Sequence, residues 1–115
     1  MDTLTEIQNW YYSQCNGAWE HSSGIRIQNI DNPGWQVQID LSGTSLEKVA
    51  FSEVKYGIEK ETDDWLICRR LGKDFEGYGG PSKLAEILET FLKWARENQT
   101  MAQTQGDSEV RPPNQ

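Results

Sequence analysis

Hydrophobic positions along the chain recur with two different periods, and the period predicts which segments are helices and which are strands. In two segments they recur every three to four residues, which is typical of an amphipathic helix. The first helix spans residues 3–15, begins with a Thr3–Glu6 capping box and ends at the Asn16-Gly17 pair. Its predicted buried stripe consists of Leu4, Ile7, Tyr11 and Cys15. The last helix follows Pro81, and its predicted buried residues are Leu84, Ile87, Leu88, Phe91, Leu92 and Ala95.

Between these helices, apolar and polar residues alternate with period two, which predicts an antiparallel sheet with one polar face. The clearest alternation runs from Trp35 to Leu41, directly after a turn at residues 31–34. Further strands are predicted over residues 24–30, 54–58, 65–71 and 75–78. The apolar face consists of Trp35, Val37, Ile39, Val54, Tyr56 and Ile58, and the polar face of Arg26, Gln28, Gln36, Gln38, Asp40, Lys55 and Glu59.

The predicted elements are a helix, then four or five strands, then a second helix, and this order predicts the α+β class. We expect a two-layer sandwich in which both helices cover the apolar face of an antiparallel meander sheet. The chain has 115 residues, which suits one such domain, and we place it at residues 1–97. Residues 98–115 are rich in Gln, Thr, Ser, Pro and Gly, so we expect a disordered tail there.

The charge of the chain restricts the partners that it can bind. Its formal net charge is −7, so its surface repels nucleic acid phosphates and attracts basic proteins. We therefore expect no direct binding to DNA or RNA. The N-terminus shows no signal-peptide pattern and no apolar run approaches about 18 residues, so we expect no membrane span. Two widely separated cysteines suit reduced thiols, and we expect a cytoplasmic monomer without a cofactor.

One short segment raises the question of catalysis, because the only histidine, His21, follows Cys15 closely and stands directly after Glu20. A cysteine hydrolase needs a thiolate beside an imidazole that a third group orients, and these residue types permit such a triad. Two arguments oppose it: Cys15 continues the predicted buried stripe, where a thiol acts as a small hydrophobic group, and neighbours on a strand face opposite sides. We interpret the segment as the end of a helix and the start of a strand. No catalytic residue is assigned, and the hydrolase stays an alternative.

Other chemistries have less support in the sequence. One histidine and two distant cysteines cannot form a closed zinc site without carboxylates, so no metal site is predicted. The glycine-rich stretch 76–81 lacks the Lys-Ser/Thr pair of a phosphate-binding loop and is typical of a turn. A pocket between the Gly79-Gly80 turn and the sheet would make the chain a small-molecule-binding domain, which is a second alternative.

The most unusual feature of the sequence is a concentration of acidic residues near aromatic ones. They stand at two turns that we expect a meander to bring close together. Such a surface is either a solvated acidic edge or a binding patch in which carboxylates surround aromatic anchors. We take it as the predicted partner-binding surface, and it consists of Glu59, Glu61, Asp63, Asp64, Trp65, Asp74, Glu76 and Tyr78.

Several short motifs occur in the sequence in a distinctive order. They are NWYYSQCNG at 9–17, WEH at 19–21, DNPGW at 31–35, IDL at 39–41, DW at 64–65, FEGYGGP at 75–81 and FLKWA at 91–95. Through these motifs, over roughly residues 4–96, the chain resembles the bacterial immunity protein 53 family.

This resemblance implies a function that the residues alone do not. It implies an inhibitor from a polymorphic toxin system, which protects its producer in the cytoplasm from a cognate secreted toxin domain. The partner would be that toxin domain, and the chain would perform no catalysis. The resemblance does not identify which residues contact the toxin. Because the surface is acidic, we expect a toxin with a basic cleft, typically a nuclease, blocked by steric and electrostatic occlusion.

Overall fold

Three helices and five strands make up the part of the chain that the computed structural model describes, residues 2–31, 33–59 and 62–106. No helix within these ranges is long and apolar enough to cross a membrane. The helices are α1 (Thr3–Gln14), α2 (Trp19–Ser22) and α3 (Leu84–Gly106). The strands are β1 (Ile25–Ile30), β2 (Gly34–Asp40), β3 (Val54–Tyr56), β4 (Leu66–Leu71) and β5 (Asp74–Gly79).

The start of α1 differs from the predicted Thr3–Glu6 capping box. The N-cap is Asp2, whose Oδ1 accepts a hydrogen bond from the Thr5 N–H at 2.7 Å. The Thr3 hydroxyl instead donates to Glu89 on α3 at 2.9 Å. The threonine predicted to cap α1 therefore joins the two long helices.

The buried stripe of α1 is rotated from the predicted one. Ile7 and Trp10 are buried, whereas Leu4 is 64% exposed and Tyr11 is 39% exposed. Cys15 follows the last residue of the helix and is half-buried, so the prediction that it lies in the core is wrong. Trp10 has the largest side chain on the helix, and burying its indole gains more apolar area than burying Leu4 would.

The five strands form one antiparallel sheet in the order β1-β2-β5-β4-β3. β1 and β2 form a hairpin, and β3, β4 and β5 form a meander that brings β5 against β2. The connection from β2 to β3 crosses to the far edge of the sheet and buries Leu41 and Leu46. The predicted α+β class, with an antiparallel sheet between two long helices in the sequence, is confirmed.

The core lies between one face of the sheet and the helices. Helix α3 contacts β2, β4 and β5, and α1 packs on α3. The buried strand residues are Val37, Ile39, Leu66, Cys68 and Phe75. The buried helix residues are Ile7, Trp10, Trp19, Ile87, Leu88, Phe91, Leu92, Trp94 and Ala95.

Two residues of the predicted apolar face lie outside this core. Val54 belongs to the edge strand β3 and is partly exposed. Ile58 follows β3, which ends earlier than predicted because Gly57 has a φ of +75°. Glycine adopts this conformation readily, and the chain leaves the sheet there.

Two glycines of β5 allow α3 to lie close to the sheet. A Cβ on Gly77 would stand 2.3 Å from Cγ2 of Ile87, and a Cβ on Gly79 would stand 2.7 Å from Cβ of Lys83. Both distances are shorter than a van der Waals contact. The glycine-rich stretch is therefore partly strand, and its missing side chains make room for the helix.

Arg70 holds the β2–β3 connection against the sheet. Its guanidinium donates hydrogen bonds to the carbonyl oxygens of Leu46, Glu47 and Val49, and its Nε donates to the carbonyl of Gly72 at 2.9 Å. Four carbonyls that would otherwise compete for water are thereby satisfied by one side chain.

Helix α3 continues to Gly106, past the predicted end of the domain at residue 97. Its last residues therefore lie within the segment 98–115 for which we predict a tail. Residues 107–115 lie outside the described part of the chain. That this segment contributes nothing to folding stays a prediction.

Candidate functional site

The predicted partner-binding residues fall into two groups. In an antiparallel sheet, consecutive turns lie at opposite ends of the strand that joins them: Leu66 of β4 pairs with Gly79, and Leu71 pairs with Asp74. The prediction that the two acidic turns lie close together is therefore wrong. Glu61 lies outside the described residues. The β3–β4 loop carries Glu59, Asp63, Asp64 and Trp65, and β5 carries Asp74, Glu76 and Tyr78.

The face of the sheet opposite α3 carries no helix in the ranges that the structure describes, and we call it the open sheet face. The alternation predicted for β2 is confirmed there, because Val37 and Ile39 are buried while Gln36 and Gln38 are only half-buried. In β1 the burial does not alternate, since its four central residues are all exposed. By strand register, the open sheet face consists of Arg26, Gln28, Ile30, Gln36, Gln38, Asp40, Lys55, Ile67, Arg69, Leu71, Asp74, Glu76 and Tyr78.

Tyr78 is the centre of a hydrogen-bonded network on this face. Its hydroxyl accepts from Gln36 Nε2 at 3.4 Å and donates to Glu76 Oε1 at 3.3 Å. Gln28 Nε2 donates to Gln36 Oε1 at 2.7 Å, and Arg69 Nη2 donates to Glu76 Oε1 at 3.4 Å. The network spans four strands, so these side chains are already ordered before a partner arrives, which lowers the entropy cost of binding.

Arg69 has hydrogen-bonding capacity left within this network. Its guanidinium carbon lies 5.9 Å from the centroid of the Tyr78 ring, and it forms an ion pair with the largely buried Glu76. Its Nε is buried and has no hydrogen-bond partner among the described residues. An unpaired buried N–H costs free energy, and this one is closed off from a docking partner because the atom itself is buried.

The far end of the open sheet face holds a polar depression of about 150 Å³ beside Arg26, Gln38, Asp40 and Asp74. Gln38 Nε2 donates to Asp74 Oδ2 at 3.0 Å. Partial burial raises the pKa of Asp40, but hydrogen bonds from Ser23 and Ser42 outweigh it and hold that pKa below its usual range. Asp40 is therefore charged at neutral pH.

Close backbone contacts fix the β3–β4 loop at the other end of this face. A Cβ on Gly57 would stand 2.2 Å from the carbonyl oxygen of Asp64, and a Cβ on Gly80 would stand 1.8 Å from that of Asp63. The Gly80 N–H also donates to the carbonyl of Trp65 at 3.1 Å. Only glycine fits at these two positions. The backbone of the loop is therefore held closely against Gly57 and against Gly80, which precedes α3.

The acidic residues of the β3–β4 loop differ in their surroundings, because one is ion-paired and others are exposed to solvent. Lys83 Nζ lies 2.6 Å from Asp64 Oδ1, and this carboxylate, followed by the Tyr56 hydroxyl, raises the pKa of Lys83. Asp64 therefore belongs to a structural ion pair. Glu59 and Asp63 are exposed and present their charge to solvent.

Trp65 connects the loop to the open sheet face. It is half-buried and directly precedes the fully buried Leu66. Two residues further along, Ile67 of β4 lies opposite Tyr78 in the ladder. Apolar surface from these three residues therefore lies at one end of the open sheet face.

Sequence reasoning missed Ile67 and Arg69 as residues of this face. The segment 65–71 has large apolar residues at both odd and even positions, so its alternation does not indicate which side faces the core. The signal that distinguishes the sides is the pairing partner, since Ile67 lies opposite Tyr78 and Arg69 lies opposite Glu76.

The segment from Asn16 to Ser22 is a bend followed by the short helix α2, and not the predicted start of a strand. Asn16 Oδ1 accepts hydrogen bonds from the N–H groups of Ala18 and Trp19 at 2.9 and 3.0 Å, which starts the turn. Trp19 is buried, and its Nε1 donates to the carbonyl of Asp40 at 3.1 Å. The segment is therefore positioned by its tryptophan.

The geometry does not assemble the hydrolase triad. The Glu20 carboxylate accepts hydrogen bonds from the N–H groups of Asn16 and Gly17 at 2.9 and 2.7 Å. Backbone N–H groups, first its own and then these two, hold the pKa of Glu20 below its usual range. Cys15 Sγ donates to the Tyr11 carbonyl at 3.4 Å, and His21 is exposed.

Two other sites considered from the sequence are also placed by the structure. The Gly79-Gly80 turn lies against Lys83 and Asp63, and the small-molecule pocket considered there stays a prediction. Cys68 is buried in β4, and burial raises the pKa of its thiol to about 12. Within residues 2–31, 33–59 and 62–106, no three His, Cys, Asp or Glu side chains are arranged to hold a metal ion.

Comparison with known proteins supplies the family of the chain. Neither a curated protein nor a solved structure matches it. The family model described as Immunity protein 53 matches residues 4–96, which contain the whole sheet, α1 apart from Thr3, and the first half of α3. This match covers most of the chain and agrees with the resemblance seen in its sequence. The chain therefore belongs to the immunity protein 53 family.

Proposed function

We propose that the chain binds a cognate bacterial toxin domain and neutralises it without any catalysis of its own. Membership of an immunity protein family supports the immunity function. The observation that carries the binding mode is the open sheet face, where a network centred on Tyr78 is ordered and uncovered. We assign the toxin contact to this face together with the β3–β4 loop at its end.

Tyr78 is the residue to which we assign the largest share of the binding free energy. Tyrosine is enriched at the centres of interfaces because its ring buries apolar area while its hydroxyl keeps a hydrogen bond. The Tyr78 ring is half-buried and held by Glu76 and Arg69, so little rotamer freedom is left to lose. Ile67 and Trp65 extend the apolar area beside it.

The charges on this surface favour a basic toxin. The net negative charge of this surface lies in the loop, where Glu59 and Asp63 are exposed, within a chain of net charge −7. On the sheet itself three acidic residues are balanced by three basic ones: Asp40, Asp74 and Glu76 against Arg26, Lys55 and Arg69. A nuclease that holds phosphates has a basic cleft of this complementary sign. We propose that the chain occupies such a cleft as a monomer in the cytoplasm, and that charge attraction speeds the encounter.

Replacing Tyr78 with alanine should weaken the toxin complex by about 2 kcal/mol, or roughly 30-fold in Kd. The fold should be retained, since the Tyr78 side chain lies on the face opposite α3. The measurement is binding kinetics with the cognate toxin domain, at two ionic strengths. The association rate of the unaltered chain should fall as salt rises.

Tyr12→Ala is the matched control for this experiment. Tyr12 lies on α1 and is 80% exposed, so the same chemical change is made far from the open sheet face. Equal losses of affinity in both variants, or none in either, would contradict our assignment of the contact. Failure of the unaltered chain to bind the toxin or to protect cells would contradict the function itself.

Replacing Cys15 with alanine should leave protection of cells unchanged and lower the free energy of unfolding by less than about 1 kcal/mol. The thiol is half-buried and makes one weak hydrogen bond, to the carbonyl of Tyr11. The measurements are a toxin-protection assay and urea denaturation, with His21→Ala as a second variant. Loss of protection in both variants, with the fold intact, would support the hydrolase that we consider the alternative.

A further inference from the structure

Strand β1 forms a free edge of the sheet. It is the first strand in the order β1-β2-β5-β4-β3, and its four central residues are exposed. The other edge strand, β3, has only three residues, and its Lys55 forms an ion pair with Glu53 at 3.8 Å. The longer edge is therefore β1, with one charged residue, Arg26, among six.

The hydrogen-bond ladder shows which backbone groups of β1 face outward. The Asp40 N–H donates to the Gly24 carbonyl at 3.1 Å, at the end of the β1–β2 pairing. Because bonded and non-bonded pairs alternate in an antiparallel ladder, the N–H and C=O groups of Ile25, Ile27 and Asn29 point away from β2. None of the described residues outside the ladder forms a hydrogen bond with these groups. These outward groups recur about every 7 Å along β1, which is also the spacing of the hydrogen-bonding groups on a neighbouring strand.

Natural proteins usually protect such an edge, and β1 lacks the usual protection. Proline, lysine, a bulge or a very short strand commonly blocks pairing with another chain. β1 pairs with β2 in continuous register over six residues and contains neither proline nor lysine. Ile27 is 44% exposed and adds apolar surface beside the unpaired groups.

We propose that an extended strand of the toxin domain adds to the sheet along β1. This proposal rests on the proposed function and specifies one contact of it. A second copy of the chain is disfavoured as the occupant, because two chains of net charge −7 repel each other, whereas a basic toxin is attracted. The added strand would also continue the open sheet face beyond Arg26 and Gln28, so that one toxin contacts both surfaces.

The side chains of β1 define the strand that fits beside it. On the side of the helices it would place an apolar residue next to Ile27, and on the open sheet face a polar or acidic residue next to Arg26. Backbone hydrogen bonds would supply much of the affinity, and these two neighbours would set the register.

Ile27→Pro tests the proposal, because it removes an outward N–H while leaving the bonds to β2 in place. The affinity for the cognate toxin domain should fall roughly tenfold or more. Ile27→Thr keeps the N–H and the strand preference but removes the apolar contact, so it should lose clearly less affinity than Ile27→Pro, and the difference measures the backbone hydrogen bond. Asn29→Pro is a second variant of the same kind, should Ile27→Pro fail to fold.

Amide hydrogen exchange measured by NMR gives an independent test. In the free protein the amides of Ile25, Ile27 and Asn29 should exchange fast, while those of Arg26 and Gln28 are protected. In the complex all five should be protected.

The outcomes separate this proposal from the function on which it rests. If the unaltered chain neutralises the toxin and both folded proline variants bind it equally well, the added strand is ruled out and the proposed function stands. A chain that neither binds nor protects overturns the proposed function. A dimer of the free protein that the proline variants abolish would show that a second copy occupies β1, which also overturns the proposal.

Discussion

Replacing Phe91 with alanine should lower the free energy of unfolding by about 3–5 kcal/mol. Phe91 is fully buried in α3 and contacts three other rings. The centroid distances are 4.8 Å to Trp10 of α1, 5.1 Å to Phe75 of β5 and 6.0 Å to Trp94 of α3, all edge to face. Its ring therefore joins both long helices to the sheet, and its removal leaves a cavity between the two layers.

Urea denaturation followed by circular dichroism measures this loss. Phe91→Leu is the control, because it keeps most of the volume and should cost about 1–1.5 kcal/mol. A loss below about 1.5 kcal/mol for the alanine variant would mean that the neighbouring rings close the cavity and that we overestimate this cluster. Since small domains are stable by only about 5–15 kcal/mol, the alanine variant should also protect cells poorly through loss of folded protein.

The tryptophans contribute more than buried area to this fold. Trp19, Trp35 and Trp94 each donate the indole N–H to a carbonyl on a distant segment, at 3.1, 2.9 and 3.0 Å, with Asp40, Pro81 and Ala50 as the acceptors. Each bond fixes a connection between secondary-structure elements against the layer beneath it. The high aromatic content seen in the sequence is thus used chiefly for the fold, and Trp65 and Tyr78 are the aromatic residues that we assign to binding.

Local patterns in the sequence are sufficient to predict most of the elements. Strand β2 alternates strictly from Trp35 to Leu41, and both Val37 and Ile39 are buried as that alternation requires. The rotation of α1 is harder, because Leu4 and Tyr11 form one possible stripe and Ile7 and Trp10 another. The packing of Trp10 on α3 decides between them, and no local pattern contains that contact.

The order of the strands is a long-range property. Pairing between β2 and β5 joins residues about 40 positions apart, and it depends on a β2–β3 connection that crosses to the far edge. The distance between the two acidic turns could have been predicted, since a strand of six residues separates them and antiparallel turns alternate between ends.

The candidate site was only partly predictable for a related reason. Residues of β1 and β2 were assigned correctly to the polar face because their alternation is clear. In β4, Arg69 and Arg70 are neighbours of the same type, and sequence alone does not indicate which lies on the open sheet face. The structure uses Arg70 to bind the carbonyls of the β2–β3 connection and Arg69 to join Glu76 and Tyr78.

Replacing Gly77 with valine should lower the free energy of unfolding by about 3 kcal/mol, the upper part of the range for overpacked cores. Gly77 lies beneath α3, where an added Cβ would stand 2.3 Å from Cγ2 of Ile87 and 3.5 Å from Sγ of Cys68. Cγ2 branches directly from the Cβ of Ile87, so it cannot turn aside as the end of a long side chain can. The helix must therefore move away from the sheet, or β5 must bend.

A double-mutant cycle with Ile87→Ala identifies this contact as the cause. In that background Cγ2 is absent, so Gly77→Ala should fill space instead of colliding, and the two changes should couple favourably by about 1–2 kcal/mol. Gly72→Ala is the control for backbone strain alone, because Gly72 has a φ of +62° and no atom near the position of an added Cβ. Additive losses for Gly77 and Ile87 would show that the glycine is needed for another reason. Favourable coupling would mean that the absence of a side chain at Gly77 sets the distance between α3 and the sheet. The same absence would then set the position of Glu76 and Tyr78 on the opposite face.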